Sequence, residues 1–196
     1  LDSNYVVLEK QYQLKYLKPS YQQNVIYLDI FEFWPALISL IWTPKLLEHE
    51  LKPWKKLEKE ILDVFHTKVD ILSEIKKEYV RARISVRGYT KLISKLKPKL
   101  IVEVVGYSQT CKQINIAAKK LQINTLELQH GYINKLHPAY NFPKKIKYVD
   151  SFPDYLGVWS SYYRNGITIP IKNDKIITCG FKYFDVQSKR FKKNNS

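Results

Sequence analysis

Apolar positions recur along this chain in three rhythms. Two runs near the start, YVVLEKQYQ from Tyr5 and NVIYLDIFEF from Asn24, are dense in β-branched and aromatic residues. Both are expected as strands, with Pro19-Ser20 in the turn region between them. After Pro53 the rhythm lengthens. Trp54, Leu57, Ile61, Phe65, Leu72, Ile75 and Tyr79 recur at helical spacing, which predicts one long helix with lysines and glutamates on its other face. Tyr89, Leu92, Ile93 and Leu96 predict a second helix, ended by Pro98.

From Lys99 onward the pattern changes to short alternating units. KLIVEVV (Lys99 to Val105) predicts a buried strand, Gly106-Tyr107-Ser108 a tight turn, and TCKQINIAAKKL (Thr110 to Leu121) a helix with Ser108 or Thr110 as its cap. INTLEL (Ile123 to Leu128), DYLGVWS (Asp154 to Ser160) and KIITCG (Lys175 to Gly180) follow as strands. Strand, turn, helix, strand is a βαβ unit, and parallel strands need such crossovers. The second half is therefore expected to be α/β with a mostly parallel, Rossmann-like sheet. The end, KRFKKNNS, is expected to be unstructured.

Ligands of open parallel sheets gather beyond the carboxyl ends of the strands. Gly106-Tyr107-Ser108 and Gln129-His130-Gly131 stand at two such ends, and if their strands are neighbours they face one crevice. Gly106 lets a ligand approach the backbone, and the helix that follows offers free N–H groups at its start. His130, flanked by Gly131, suits proton exchange near neutral pH; the alternative is a histidine that merely closes a strand. Glu127 shares a strand face with Gln129 and could orient a loop or bind a sugar hydroxyl.

His137 precedes Pro138 in a long connection that also carries Tyr132, Tyr140 and Phe142. Those aromatics could stack on sugars or bases, or simply cover a sheet edge. Glu127, His130 and His137 match no metal-ligand spacing, and no metal or other cofactor is expected. Arg81, Arg83 and Arg87 could grip phosphate or form a solvated helix surface.

Composition narrows the field. With 196 residues, 45% apolar and 14% aromatic, the chain can bury a core. It holds no methionine and is expected to be a piece of something longer. Cys111 and Cys179 fit no CxxC pattern and are expected as buried, reduced thiols. GxSxG and GxxxxGK[ST] are both lacking, which argues against a serine hydrolase and a P-loop enzyme. No signal peptide is legible, and Asp29, Glu32 and Pro35 break the most apolar window, Val25 to Trp42.

Charge points to anionic partners. The chain has 33 Lys and Arg against 18 Asp and Glu, with 14 basic and 6 acidic residues between Lys52 and Lys99. Such a field attracts phosphates of nucleic acid, anionic lipid or a nucleotide-linked substrate, although a Lys-, Ile-, Asn- and Tyr-rich composition would also produce it. No nucleic-acid-reading motif is present, so nucleic acid is not an expected partner.

The run KPKLIVEVVGYSQTCKQINIAAKKLQINTLELQHGYI, continued by HPAYNFP, FPDYLGVWSSYYRNG and KIITCGFKYFD, resembles bacterial glycosyltransferases of surface-polysaccharide biosynthesis. Their architecture is the two-Rossmann-domain form called GT-B. The likeness lies in a strand ending in E-x-Q-H-G, a later P-D-Y-L-x-V-W phrase, and a GxxxxD, over roughly Lys97 to Asp185.

That resemblance implies sugar transfer from a nucleotide-sugar donor to a glycan or lipid-linked glycan acceptor, in a cleft between two domains. Glu127, Gln129, His130 and Gly131 would line the cleft, with His130 as base or donor-phosphate contact. Glu127 would be the other catalytic candidate. Gly106, Tyr107, Ser108, His137 and Tyr140 would bind substrate. Residues 1–181 would form the acceptor-side domain, with 182–196 a basic tail or the start of a missing C-terminal domain, so this chain alone would be inactive. Enzymes of this kind work on the cytoplasmic side, where a lysine-rich surface and the Phe31–Trp42 window could meet anionic membrane. A non-catalytic glycan-binding scaffold, a nucleotide-sugar epimerase and a nucleic-acid-binding domain are the alternatives.

Overall fold

The structure, a computed structural model, describes residues 4–10, 24–42 and 44–194. They form two compact units, within 1–88 and 89–196. The expected turn at Pro19-Ser20 lies outside the described residues.

In the first unit β1 (Val7–Glu9) pairs in parallel with β2 (Val25–Tyr27). The strand expected through Phe33 stops at Tyr27, and helix α1 (Ile30–Ile41) takes over. The residues IFEFW suit either structure by propensity. The helix is held by tertiary bonds instead: Ser85 donates its hydroxyl to the Phe31 carbonyl at 2.8 Å, and Arg81 Nε donates to Ser39 Oγ at 3.1 Å. A Cβ on Gly88 would stand 2.6 Å from the Phe31 ring, so glycine leaves the room that this ring occupies.

The single long helix expected after Pro53 is in fact two, α2 (Glu48–Phe65) and α3 (Ile71–Leu96). His66, in the left-handed region at φ 52, ends the first. Asp70 opens the second by accepting from Ser73 N at 3.1 Å. Pro53 lies inside α2 rather than before it, and the Glu50 carboxylate accepts from Leu47 N–H at the start. The separate helix expected around Tyr89 is the continuation of α3, which ends just ahead of Lys97 and Pro98. Arg83 and Arg87 are exposed on α3.

The second unit is α/β and Rossmann-like in layout. β3 (Leu100–Glu103), β4 (Asn124–Leu128), β5 (Tyr155–Val158) and β6 (Ile176–Thr178) form a four-stranded sheet, all parallel, in the order β3-β4-β5-β6. Helix α4 (Gln109–Lys120) makes the first crossover and α5 (Ser161–Asn165) lies in the last. Between β4 and β5 the long connection is part of the interior: Ile133, Tyr140 and Phe152 join Leu156, Val158 and Ile176 in one buried cluster.

Register sorts the strand residues by face. Glu103, Glu127, Leu156 and Ile176 are aligned and buried. On the other face Leu100, Val102, Leu128 and Ile177 remain exposed. Lys189 to Asn194, expected to be unstructured, belong to helix α6 (Lys182–Asn194), and the last two residues of that segment lie outside the described residues. Both cysteines are free, but they are not buried: Cys111 is half-buried and Cys179 exposed. Among the described residues, no helix is long and apolar enough to cross a membrane.

Candidate functional site

Because β3 and β4 are neighbours, the turns that follow them meet at one end of the sheet. The first turn is tightly built. Ser108 N donates to the Val105 carbonyl at 2.8 Å, and Ser108 Oγ caps α4 by accepting from Cys111 N at 3.2 Å. Val105, just before Gly106, sits at φ 59, a strained place for a β-branched residue.

Under this turn lies Glu127, fully buried. Its Oε1 accepts from Gly106 N–H at 2.8 Å and from the Tyr140 hydroxyl at 2.6 Å. One carboxylate thus ties the β3 turn to the long connection that holds His137. A Cβ on Gly106 would lie 2.5 Å from Glu127 Oε2 and 2.8 Å from Glu103 Oε1, so the close approach demands glycine.

Glu103 is Glu127's partner in register and is 8% exposed. Sequence reading treats it as one residue of an apolar strand; only the pairing places two carboxyls side by side. The available signal was a glutamate inside each of LIVE and TLEL, both of which end at a turn. Asn115 of α4, also fully buried, donates to Glu103 Oε1 at 2.9 Å and to the Ser151 carbonyl at 3.2 Å. Burial lifts the Glu103 carboxyl from 4.5 to about 7, against the Asn115 bond and with help from Glu127's charge. Burial also raises Glu127, against the bonds from Tyr140 and Gly106 and the nearby charges of His130 and His137. Burial and the charge of Glu103 push the Cys111 thiol up to about 12, so it stays protonated and unreactive.

Above this buried layer the rings converge. Tyr107 stands 6.0 Å from His130, 5.5 Å from His137 and 5.8 Å from Tyr140, centroid to centroid, and His137 is 4.9 Å from Tyr140. His130 is exposed, Tyr107 and His137 half-buried, and Tyr140 buried. His137 Nδ1 is buried without a hydrogen-bond partner among the described residues.

Gln129 has a different position from the one expected of a ligand contact. It is buried, with Nε2 donating to the Gly131 carbonyl at 2.9 Å and Oε1 accepting from Trp159 N at 2.8 Å. Its amide clamps the ends of β4 and β5 together. Trp159 in turn stacks flat on Phe181 at 4.3 Å and meets Tyr163 edge-on at 5.6 Å, and Tyr163 leads to Tyr132 at 5.8 Å. None of Trp159, Phe181 and Tyr163 was singled out from the sequence. An aromatic run therefore follows the carboxyl ends of β4, β5 and β6.

Beside it opens a cavity of about 520 Å3, lined by Ile133, Asn134, Lys135, Leu136, Tyr162, Asn165 and Gly166. Neither His130 nor Tyr107 lines it, so it adjoins the histidine cluster rather than containing it.

The structure thus gathers Gly106, Tyr107, Ser108, Glu127, Gln129, His130, Gly131, His137 and Tyr140 at one sheet end. Among the described residues no group of three or more His, Cys, Asp or Glu is placed to hold a metal. Compared with protein-family models, curated proteins and solved structures, the chain matches none.

Proposed function

We propose that this chain is the acceptor-side half of a GT-B glycosyltransferase that builds surface polysaccharide from nucleotide-linked sugars. The observation that carries the reading is the meeting of His130, Tyr107 and His137 over the buried Glu127–Tyr140 bond, at the carboxyl ends of parallel strands. His130 is the exposed imidazole there and acts as base on an acceptor hydroxyl. Glu127 is sealed from solvent, so it positions: through Gly106 and Tyr140 it fixes the turn and the connection that flank His130. Gln129 positions likewise. The adjoining cavity, with Tyr162 for a sugar face and Asn134, Asn165 and Lys135 for polar contacts, suits a glycan acceptor.

The second half of such an enzyme would bind the donor and follow β6. On this reading the protein works at the cytoplasmic face of a membrane. The exposed stripe of Ile30, Phe33, Trp34, Leu37, Leu40 and Ile41 on α1 supports that placement.

The full gene product, incubated with UDP-, GDP-, CDP- and CMP-linked sugars and an acceptor glycan, is expected to release nucleotide from one donor. His130→Ala should abolish release while the fold survives. Release that needs no acceptor would indicate a hydrolase, and an altered sugar still joined to its nucleotide an epimerase. No release from any donor, with the variant unchanged in glycan binding, would favour a glycan-holding scaffold, a reading that the half-buried aromatic run and its exposed end at Tyr132 support.

A further inference from the structure

The opposite end of the same sheet carries a different chemistry. The basic excess is not spread evenly: residues 89–196 hold 19 Lys and Arg against 6 Asp and Glu, whereas residues 1–88 hold 14 against 12. Two of the six acids, Glu103 and Glu127, are buried at the candidate site and contribute nothing to the surface.

Four of those lysines line one small cavity of about 140 Å3: Lys119 from the end of α4, Lys147 from the long connection, and Lys172 and Lys175 from the approach to β6. All of these segments lie at the amino ends of the strands, away from the His130 cluster. Tyr148 and the Phe152-Pro153 and Pro170-Ile171 pairs give the cavity apolar walls.

Acid is short there. Among the described residues Asp154 is the one carboxylate on the lining, and its Oδ2 already accepts from Thr125 N at 2.9 Å and Thr125 Oγ1 at 3.1 Å. Its Oδ1 stands 3.7 Å from Lys119 Nζ. Asp150 also acts on Lys119, and Asp174 lies in the turn between Lys172 and Lys175. Among the described residues no ion pair involves Lys147, Lys172 or Lys175.

Lys119 is fixed by donating to the Phe152 carbonyl and is only 16% exposed in its side chain. Lys175 is held over the Tyr155 ring at 5.0 Å. Burial pulls the Lys119 ammonium below its usual value, against the pull of Asp154 and Asp150. Ammonium groups only donate, and the four outnumber Asp154, Asp150 and Asp174, which leaves a positive charge at the cavity that an anion would match.

We propose that this cavity is an anion site that takes a phosphate or diphosphate group, separate from the His130 cluster and independent of the transferase reading. The volume admits the phosphate group itself. The apolar walls leave room for whatever carries that group to pass out over Tyr148. A free diphosphate and a nucleoside diphosphate share this chemistry.

The test measures binding of pyrophosphate and of UDP to the full chain at low salt, by calorimetry. Pyrophosphate should bind, and Lys172→Ala with Lys175→Ala should weaken it by about tenfold or more. Lys91→Ala with Lys95→Ala, two exposed lysines of α3 off the lining, removes the same charge and should leave the affinity within about twofold. His130→Ala should leave it unchanged. Lys172→Glu, at an exposed position, checks the result without disturbing the interior. UDP binding tighter than pyrophosphate assigns the phosphate to a nucleotide; equal affinities assign recognition to the diphosphate alone. The proposal is overturned by a lack of pyrophosphate binding, or by equal weakening in the pocket and α3 variants, which would mean diffuse attraction to a basic surface.

Discussion

Glu103 and Glu127 lie side by side across β3 and β4, in register and both out of water. Each keeps an Oε2 without a hydrogen-bond partner among the described residues. Two buried carboxyls so placed cannot both ionise easily, and their shared state sets how the unit responds to pH.

The sign follows from the raised Glu103 value. Below about pH 4.5 the carboxyl is protonated folded or unfolded; between there and about 7 the folded state holds a proton that the unfolded state has lost. Stability is therefore full on the acid side and falls as pH rises to about 7, by roughly 3 kcal/mol for this group. Glu127, raised in the same direction, adds to the fall. Glu103→Gln should flatten the profile and raise the melting temperature at pH 8, because a neutral amide can still accept from Asn115. Melting curves from pH 4 to pH 8 for both proteins check this; parallel profiles would refute it.

Removing the Tyr140 hydroxyl leaves a buried carboxylate with one donor fewer. Tyr140→Phe is expected to destabilise the fold by about 1–3 kcal/mol at pH 8. The loss should be smaller at pH 4, below the ordinary carboxyl value of 4.5 that burial only raises, because there a protonated Glu127 needs the bond less. Urea unfolding at the two pH values measures the difference.

Gly106→Ala should be costly for a steric reason. The new methyl would meet Glu127 Oε2 at 2.5 Å and Glu103 Oε1 at 2.8 Å, both on buried side chains that cannot swing aside. A loss of about 1–3 kcal/mol is expected, read as a lower urea midpoint with an unchanged slope. Gly131→Ala, with open space around its Cβ, is the control and should be near neutral.

The α1 stripe gives a prediction about location. Ile41 is 86% exposed and Leu40 68%. Vesicles of anionic lipid should sediment the protein, and Leu40→Asp with Ile41→Asp should return it to the supernatant. Equal recovery of both proteins would remove the membrane from the proposed function.

Much of the α/β unit was legible from the chain. LIVE, TLEL, YLGV and IIT are short apolar runs bounded by turn residues, and the helix between the first two announces itself through Ser108 and its apolar face. Less could be read before Lys99. IFEFW has strand propensity, yet Ser85, Arg81 and Gly88, more than fifty residues away for two of these contacts, hold it as helix. His66 ends α2 in a left-handed conformation that no spacing rule flags. At the site, His130 and Tyr107 were visible as strand-end residues, and Glu103 was not. Its importance depends on register, which a single strand's sequence does not contain.

The order β3-β4-β5-β6 has a consequence in time. Each strand's partner is the strand made just before it, so none waits for a distant piece of chain before pairing. Such a sheet can grow from one edge, a step at a time, although each step must close the crossover that a parallel pair requires. Glu103 and Glu127 sit on the first two strands of that series. Their pairing needs only the first of those steps, but the sealing of Glu127 waits for Tyr140, which arrives on the connection to the third strand.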